Sequence, residues 1–206
     1  EAAALILPTL ITQDMISLYV YRRNWDARNL KIMLPGAAIG MALAWLLASH
    51  MSDAVIRITV GAIGLTFTAH TWLRRKAIEP RQATTAGGVF WGGVSGFTSF
   101  MTQAGGPPFQ VYVLPQRLPK LTLVGTTTVF FAIVNLMKIG PYFALAQFTA
   151  KNFATSLLLL PIAVLGNFAG IWLVRRIPND TFYRIAYTLL FCISLALFWQ
   201  GIRAVI

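Results

Sequence analysis

Charge is scarce in this chain: 11% of its 206 residues are Asp, Glu, Lys or Arg, where an ordinary soluble domain carries about 25%. Together with 57% hydrophobic residues and a mean hydropathy of +0.67, the deficit argues against a water-soluble enzyme. Acids are the scarcest, six against 17 Lys and Arg, for a formal net charge of +11. Such a surplus can mark a nucleic-acid binder, but too few polar positions remain to build a solvated basic face. No nucleic-acid partner is expected; a membrane surface is. The single Cys192, inside the apolar run 189–193, excludes a disulfide framework, and the distant His50 and His70 make no metal-ligand spacing. Neither a His pair nor a nucleophile and base can be recognised by spacing, so no enzyme activity and no cofactor are expected. No secretory signal peptide is visible at Glu1, where an apolar run opens directly with no basic stretch before it and no small-residue cleavage site, and further residues are expected to precede it.

What is present in quantity is apolar length. Crossing the hydrocarbon core takes about 20 apolar helical residues, and seven runs qualify: 2–21, 30–49, 54–73, 87–114, 121–146, 153–174 and 182–202. The connections are too short for a second domain, so the expectation is an all-α, multi-pass protein with one transmembrane domain over 1–206. An internal repeat runs through it. Pro35-Gly-Ala-Ala-Ile-Gly40 corresponds to Pro161-Ile-Ala-Val-Leu-Gly166, and Arg57-Ile-Thr to Arg184-Ile-Ala one residue out of step. Extended backwards, the alignment sets Asp14 opposite Asn135 and Ser17 opposite Lys138. Repeat one then covers approximately 1–84 and repeat two 85–206. The glycine-rich fourth run has no counterpart, so repeat one is expected to be incomplete, with a similar segment of roughly 30 to 40 residues before Glu1.

Lys and Arg collect on the cytoplasmic side of membrane proteins, which tests how the fourth run crosses. Arg22, Arg23, Arg28 and Lys31 follow the first run; Arg74, Arg75, Lys76 and Arg81 follow the third. If the fourth run enters and returns, Arg117, Lys120, Arg175 and Arg176 join them, leaving Lys151 and Arg203 opposite. The bias favours a re-entrant hairpin or two crossings, and an inverted second repeat. Inverted repeats are a transporter architecture built around a midplane site.

The fourth run also carries the candidate chemistry. Gly92 and Gly96 make a small-xxx-small face for helix packing. Gly105-Gly106-Pro107-Pro108 breaks the run, and a half-helix starting at Pro107 would turn its positive end and free N–H groups towards an anion. Ser95, Thr98, Ser99, Thr102 and Gln103 precede the break as neutral donors. Ser and Thr often bond their own backbone instead; the readings are even for Ser95, Thr98 and Thr102, and the binding reading is preferred for Ser99 and Gln103, nearer the break. In the fifth run, Asn135 and Lys138 stand among apolar residues with Tyr142 one turn on. Lys138 either meets an anion or snorkels to the interface. Asp14, at Asn135's repeat position, is a candidate to carry a coupling proton, to pair with Lys138, or to face water at a helix end. Arg57 and Arg184 are expected as interface anchors.

The glycine-rich stretch with Gly105-Gly106-Pro107, then Tyr112-Val113-Leu114, Gly125-Thr126, Asn135-Leu-Met-Lys138-Ile and Pro141-Tyr142, resembles the sulfite exporter TauE/SafE family over most of the chain. The resemblance implies a multi-pass protein of the prokaryotic cytoplasmic (inner) membrane that moves sulfite, sulfonates or related anions, each half carrying a glycine-rich motif; the second proline departs from the family pattern. The leading expectation is a secondary transporter, exporting and proton-coupled through Asp14, with Ser99, Gln103, Gly105, Gly106, Pro107, Thr126, Asn135 and Lys138 at the substrate. A passive anion channel and a non-transporting membrane scaffold are the alternatives. The expected partners are the small anion and the bilayer, with a second copy of the chain as a further candidate.

Overall fold

The computed structural model describes residues 2–48, 50–73, 80–144 and 150–205, the side chains of 2–6, 150–155 and 157 excepted. Arg74, Arg75 and Lys76, the Lys151 side chain, and the expected span ends at Ser49 and 145–146 lie outside the described residues. Among the described residues the chain is all-helical: α1 Ala2–Tyr21, α2 Ala27–Leu47, α3 Asp53–Leu73, α4 Thr85–Thr102, α5 Gly106–Val113 with a 3-10 turn Leu114–Gln116, α6 Lys120–Ala144, α7 Ala150–Arg176 and α8 Asn179–Arg203. Five of these helices, α2, α3, α6, α7 and α8, are long and apolar enough to cross a membrane. Helices suit that environment because they satisfy every backbone polar group internally.

The chain divides into two compact units, Glu1–Leu30 with Pro119–Pro178, and Lys31–Leu118 with Asn179–Ile206. Each draws helices from both halves of the sequence. In the first, α1 packs on α6 and α7. A polar seam ties α1 to α7: Thr9 donates to the Ser156 carbonyl (3.3 Å), Gln13 Nε2 to the Ala163 carbonyl (2.9 Å), Ser17 to Asn167 Oδ1 (3.1 Å), and Asn167 Nδ2 to the Gln13 carbonyl (3.0 Å). In lipid, where apolar surface gives helices no reason to prefer one another over acyl chains, such bonds and close packing supply the adhesion. Lys120 Nζ donates to the carbonyls of Arg175 and Ile177, closing the C-terminal end of α7.

In the second unit, glycines set the helix spacing. Cβ atoms at Gly36 and Gly40 of α2 would overlap the carbonyls of Val89 and Gly93 of α4, and at Gly92 and Gly96 those of Met33 and Ala37. The small-xxx-small face of Gly92 and Gly96 is therefore a packing face against α2. Helix α3 lies as close on α8, with Gly61 against Ser194 and Phe198, and Gly201 against Ala54 and Ile58.

The outer surfaces are apolar, as expected of a chain whose solvent is lipid. On α7, Leu158, Ile162 and Leu165 make an exposed stripe at helical spacing. Near helix ends Arg22 stacks on Tyr19, Arg176 on Trp172 and Arg203 on Trp199, with guanidinium carbons 4.7, 4.9 and 5.0 Å from the ring centres. Aromatic and basic residues paired this way suit the headgroup level. Arg184 is exposed and Arg57 Nη1 donates to Gln200 Oε1 at 3.3 Å in an exposed pair.

Candidate functional site

The break in the glycine-rich run makes a helical hairpin. Its two legs end together: Tyr112 OH donates to the Thr84 carbonyl (2.9 Å), and the Arg81 N–H to the Pro115 carbonyl (3.0 Å). The run 87–114 therefore returns to the end it entered from and makes no single straight crossing. At the apex, Gln103 takes the left-handed conformation (φ 57) and the Ala104 N–H bonds back to the Thr98 carbonyl (3.2 Å). Two side chains satisfy the unwound backbone. Ser95 Oγ donates to the Gly105 carbonyl (2.7 Å), while Thr98 Oγ1 lies 3.2 Å from the Ala104 carbonyl and 2.8 Å from that of Val94. Thr102 is also spent on backbone, bonding the Thr98 carbonyl at 3.2 Å. Ser99 differs: it is 3% exposed, one turn beyond Ser95, and its hydroxyl has no hydrogen-bond partner among the described residues.

Helix α5 begins at Gly106, one residue before the expected start, with Gly105 as its N-cap residue. The expected cradle of several free N–H groups shrinks accordingly. Pro107 and Pro108 have no N–H to offer, and the Phe109 N–H is bonded to the Gly105 carbonyl (3.3 Å). In the first turn, Gly106 alone keeps a backbone donor outside the helix ladder, beside the positive end of the α5 dipole. Nothing lies within 4 Å of where its Cβ would stand, so space for a ligand adjoins that donor.

The left-handed Gln103 offers a direct separation of fold from function. A side chain in this conformation costs about 1–2 kcal/mol that glycine does not incur. Gln103→Gly is expected to raise thermal stability by up to about 1 kcal/mol while lowering anion transport, read as melting temperature and vesicle uptake on the same preparation.

The first unit holds the ionisable cluster. Lys138 is completely buried, with Nζ 3.1 Å from Asn135 Oδ1, and Asn135 Nδ2 donates to Asp14 Oδ2 at 2.8 Å. The snorkelling alternative for Lys138 is thus excluded by its burial. Asp14 is half-buried and faces Asn135, its counterpart in the repeat alignment, rather than standing free at a helix end. Tyr142, one turn beyond Lys138, is buried beside it on α6. Removing a carboxylate and an ammonium from water is costly, and the amide between them recovers part of that cost by bonding both.

Thr126 stands apart from that cluster. Its hydroxyl donates to the Thr122 carbonyl and accepts the Asp26 N–H (2.9 Å), while Asp26 Oδ1 caps α2 by accepting the Asn29 N–H (2.7 Å). The side chain fastens the entry to α2. The seam adds polar groups beside Asp14 that are not among the expected site residues: Gln13 precedes it in sequence, Asn167 bonds the Gln13 carbonyl, and Ser17 bonds Asn167. Their signal was the spacing of Thr9, Gln13 and Ser17, every fourth residue along one stripe of α1.

A family model described as Sulfite exporter TauE/SafE matches residues 1–197. No curated protein and no solved structure matches the chain.

Proposed function

Since the chain belongs to the sulfite exporter TauE/SafE family, a family of membrane transporters of sulfur-containing anions, we propose that it exports sulfite or a small organosulfonate across the inner (cytoplasmic) membrane as a proton-coupled secondary transporter. The observation that carries the reading is Lys138, fully buried on α6 and held by an amide that also holds Asp14. A buried ammonium on a membrane helix marks a substrate or ion path. Ser99, Gln103 and the Gly106 N–H form a second anion station at the apex of the hairpin, where neutral donors hold an oxyanion without neutralising it.

Asn135 is the joint of the coupling scheme. With Asp14 ionised, its amide points Nδ2 at the carboxylate and Oδ1 at Lys138. A proton on Asp14 turns one acceptor oxygen into a donor, which favours the reversed amide and frees Lys138 to meet the anion. The pairing of Asp14 with its own repeat counterpart supports inverted repeats, because a two-fold axis in the membrane plane brings equivalent residues together where it passes between them.

The test is uptake of labelled sulfite, with a sulfonate panel as competitors, into proteoliposomes holding the full-length protein, with and without a pH gradient. Saturable, gradient-driven flux is expected. Flux that rises linearly with concentration and ignores the gradient would replace the transporter with a channel.

A further inference from the structure

We propose that the cavity at the end of the second unit where α3 finishes and α4 begins is a binding site for an acidic-headed membrane lipid. The cavity encloses about 760 Å³ and is graded along its length. His70, Arg81 and Gln116 line one end; Ile63, Phe67 and Trp91 line the other. On α3 alone, Ile63 and His70 are seven residues apart, about 10 Å of helix, so the lining passes from basic and polar to apolar over the length of a headgroup and the first carbons of a chain. The bonds of Arg81 to Pro115 and of Tyr112 to Thr84 place the polar end at the closed base of the hairpin.

Three observations select the ligand. No acidic side chain lines the cavity among the described residues, and neither Arg81 nor His70 has a side-chain partner among them, so an anionic head is complemented. Towards Ala62, Ile63 and Val111 the lining holds only the Thr66 hydroxyl and the Trp91 indole N–H as donors and no charge, a poor path for a bare oxyanion, which would be desolvated with few replacement bonds. Phe90, whose ring meets Trp91 edge-on at 5.2 Å, is 61% exposed beside that wall, so the apolar end continues onto surface suited to acyl chains. Basic pockets between spanning helices on the Lys/Arg-rich side are a general solution for acidic headgroups.

Lipids brominated on the acyl chain quench nearby tryptophan, and Trp91 supplies the reporter. The full-length protein is placed in phosphatidylcholine bilayers doped with brominated phosphatidylglycerol or, at the same fraction, brominated phosphatidylcholine. The quenching assigned to Trp91, taken as the difference between wild type and Trp91→Phe, is expected to need about fivefold less of the anionic lipid, the advantage of one basic residue near a headgroup. Arg81→Gln, at an exposed position whose backbone bond is unaffected, is expected to erase that preference. Equal quenching by both lipids, or a preference that survives Arg81→Gln, overturns the proposal. None of these outcomes depends on sulfite transport, so this proposal and the transport reading stand or fall separately.

Discussion

Lys138→Met is expected to lower the apparent affinity for sulfite by about 10- to 100-fold, because a hydrogen bond to a charged group contributes about 1.5–3 kcal/mol and each 1.4 kcal/mol is tenfold. Methionine keeps the length of the stem and needs no partner in the buried pocket at Asn135, so the folded protein should still be recovered. Asn135→Ala is expected to be worse for folding and similar for flux, since it leaves both Asp14 Oδ2 and Lys138 Nζ without the amide that joins them. Asp14→Asn separates binding from coupling. It keeps an acceptor oxygen towards Asn135 but carries no titrating proton, so sulfite exchange between the two sides should persist while gradient-driven accumulation disappears. Exchange and accumulation are measured in the same proteoliposomes. If Lys138→Met transports like wild type, the anion does not meet α6, and the hairpin apex is left as the station to examine.

The largest stability effects are expected at glycines whose Cβ would strike backbone. At Gly40 and Gly96 the obstacle is a carbonyl of the neighbouring helix. Overpacking costs about 1–3 kcal/mol where side chains can yield; a helix backbone yields only by moving as a whole, so α2 and α4 must part along the seam. Gly96→Val should lower the melting temperature by about 10 °C or more, taking about 2–4 °C per kcal/mol for a chain of this size. Gly140, Gly166 and Gly170 have nothing within 4 Å of a Cβ. Alanine there should be neutral or stabilising by up to about 1 kcal/mol, through helix propensity alone. Thermal unfolding followed by size-exclusion fluorescence measures both sets, and a matching loss at Gly166→Ala would remove the steric explanation.

The helices are legible in the sequence because a membrane chain announces its spans through apolar length, and the break is legible because Gly-Gly-Pro-Pro cannot continue a ladder. The start of α5 differs from the expected one by a single residue. Partnership is harder to read. Lys138 satisfies two readings from sequence, anion ligand and snorkelling anchor, since both need only a lysine in an apolar run; burial removes the second. The roles of Ser95, Thr98 and Thr102 depend on which carbonyls the unwound segment leaves open, a three-dimensional fact. The loss of donors at Pro107 and Pro108, by contrast, is written in the residue types themselves. The polar seam from Gln13 to Asn167 escapes notice because each residue is isolated among apolar neighbours, and its logic appears only when α1 and α7 lie side by side.

The two prolines at the start of α5 bear on tempo as much as on affinity. A helix end with a full set of open amides holds an oxyanion for long dwell times, and a carrier that grips its cargo too well is slowed at the release step. Here the backbone offers one such amide, at Gly106. An anion so lightly held would depart quickly, an arrangement that favours fast release over tight capture. High turnover with weak half-saturation is the kinetic signature that this short, proline-stripped helix end leads us to expect.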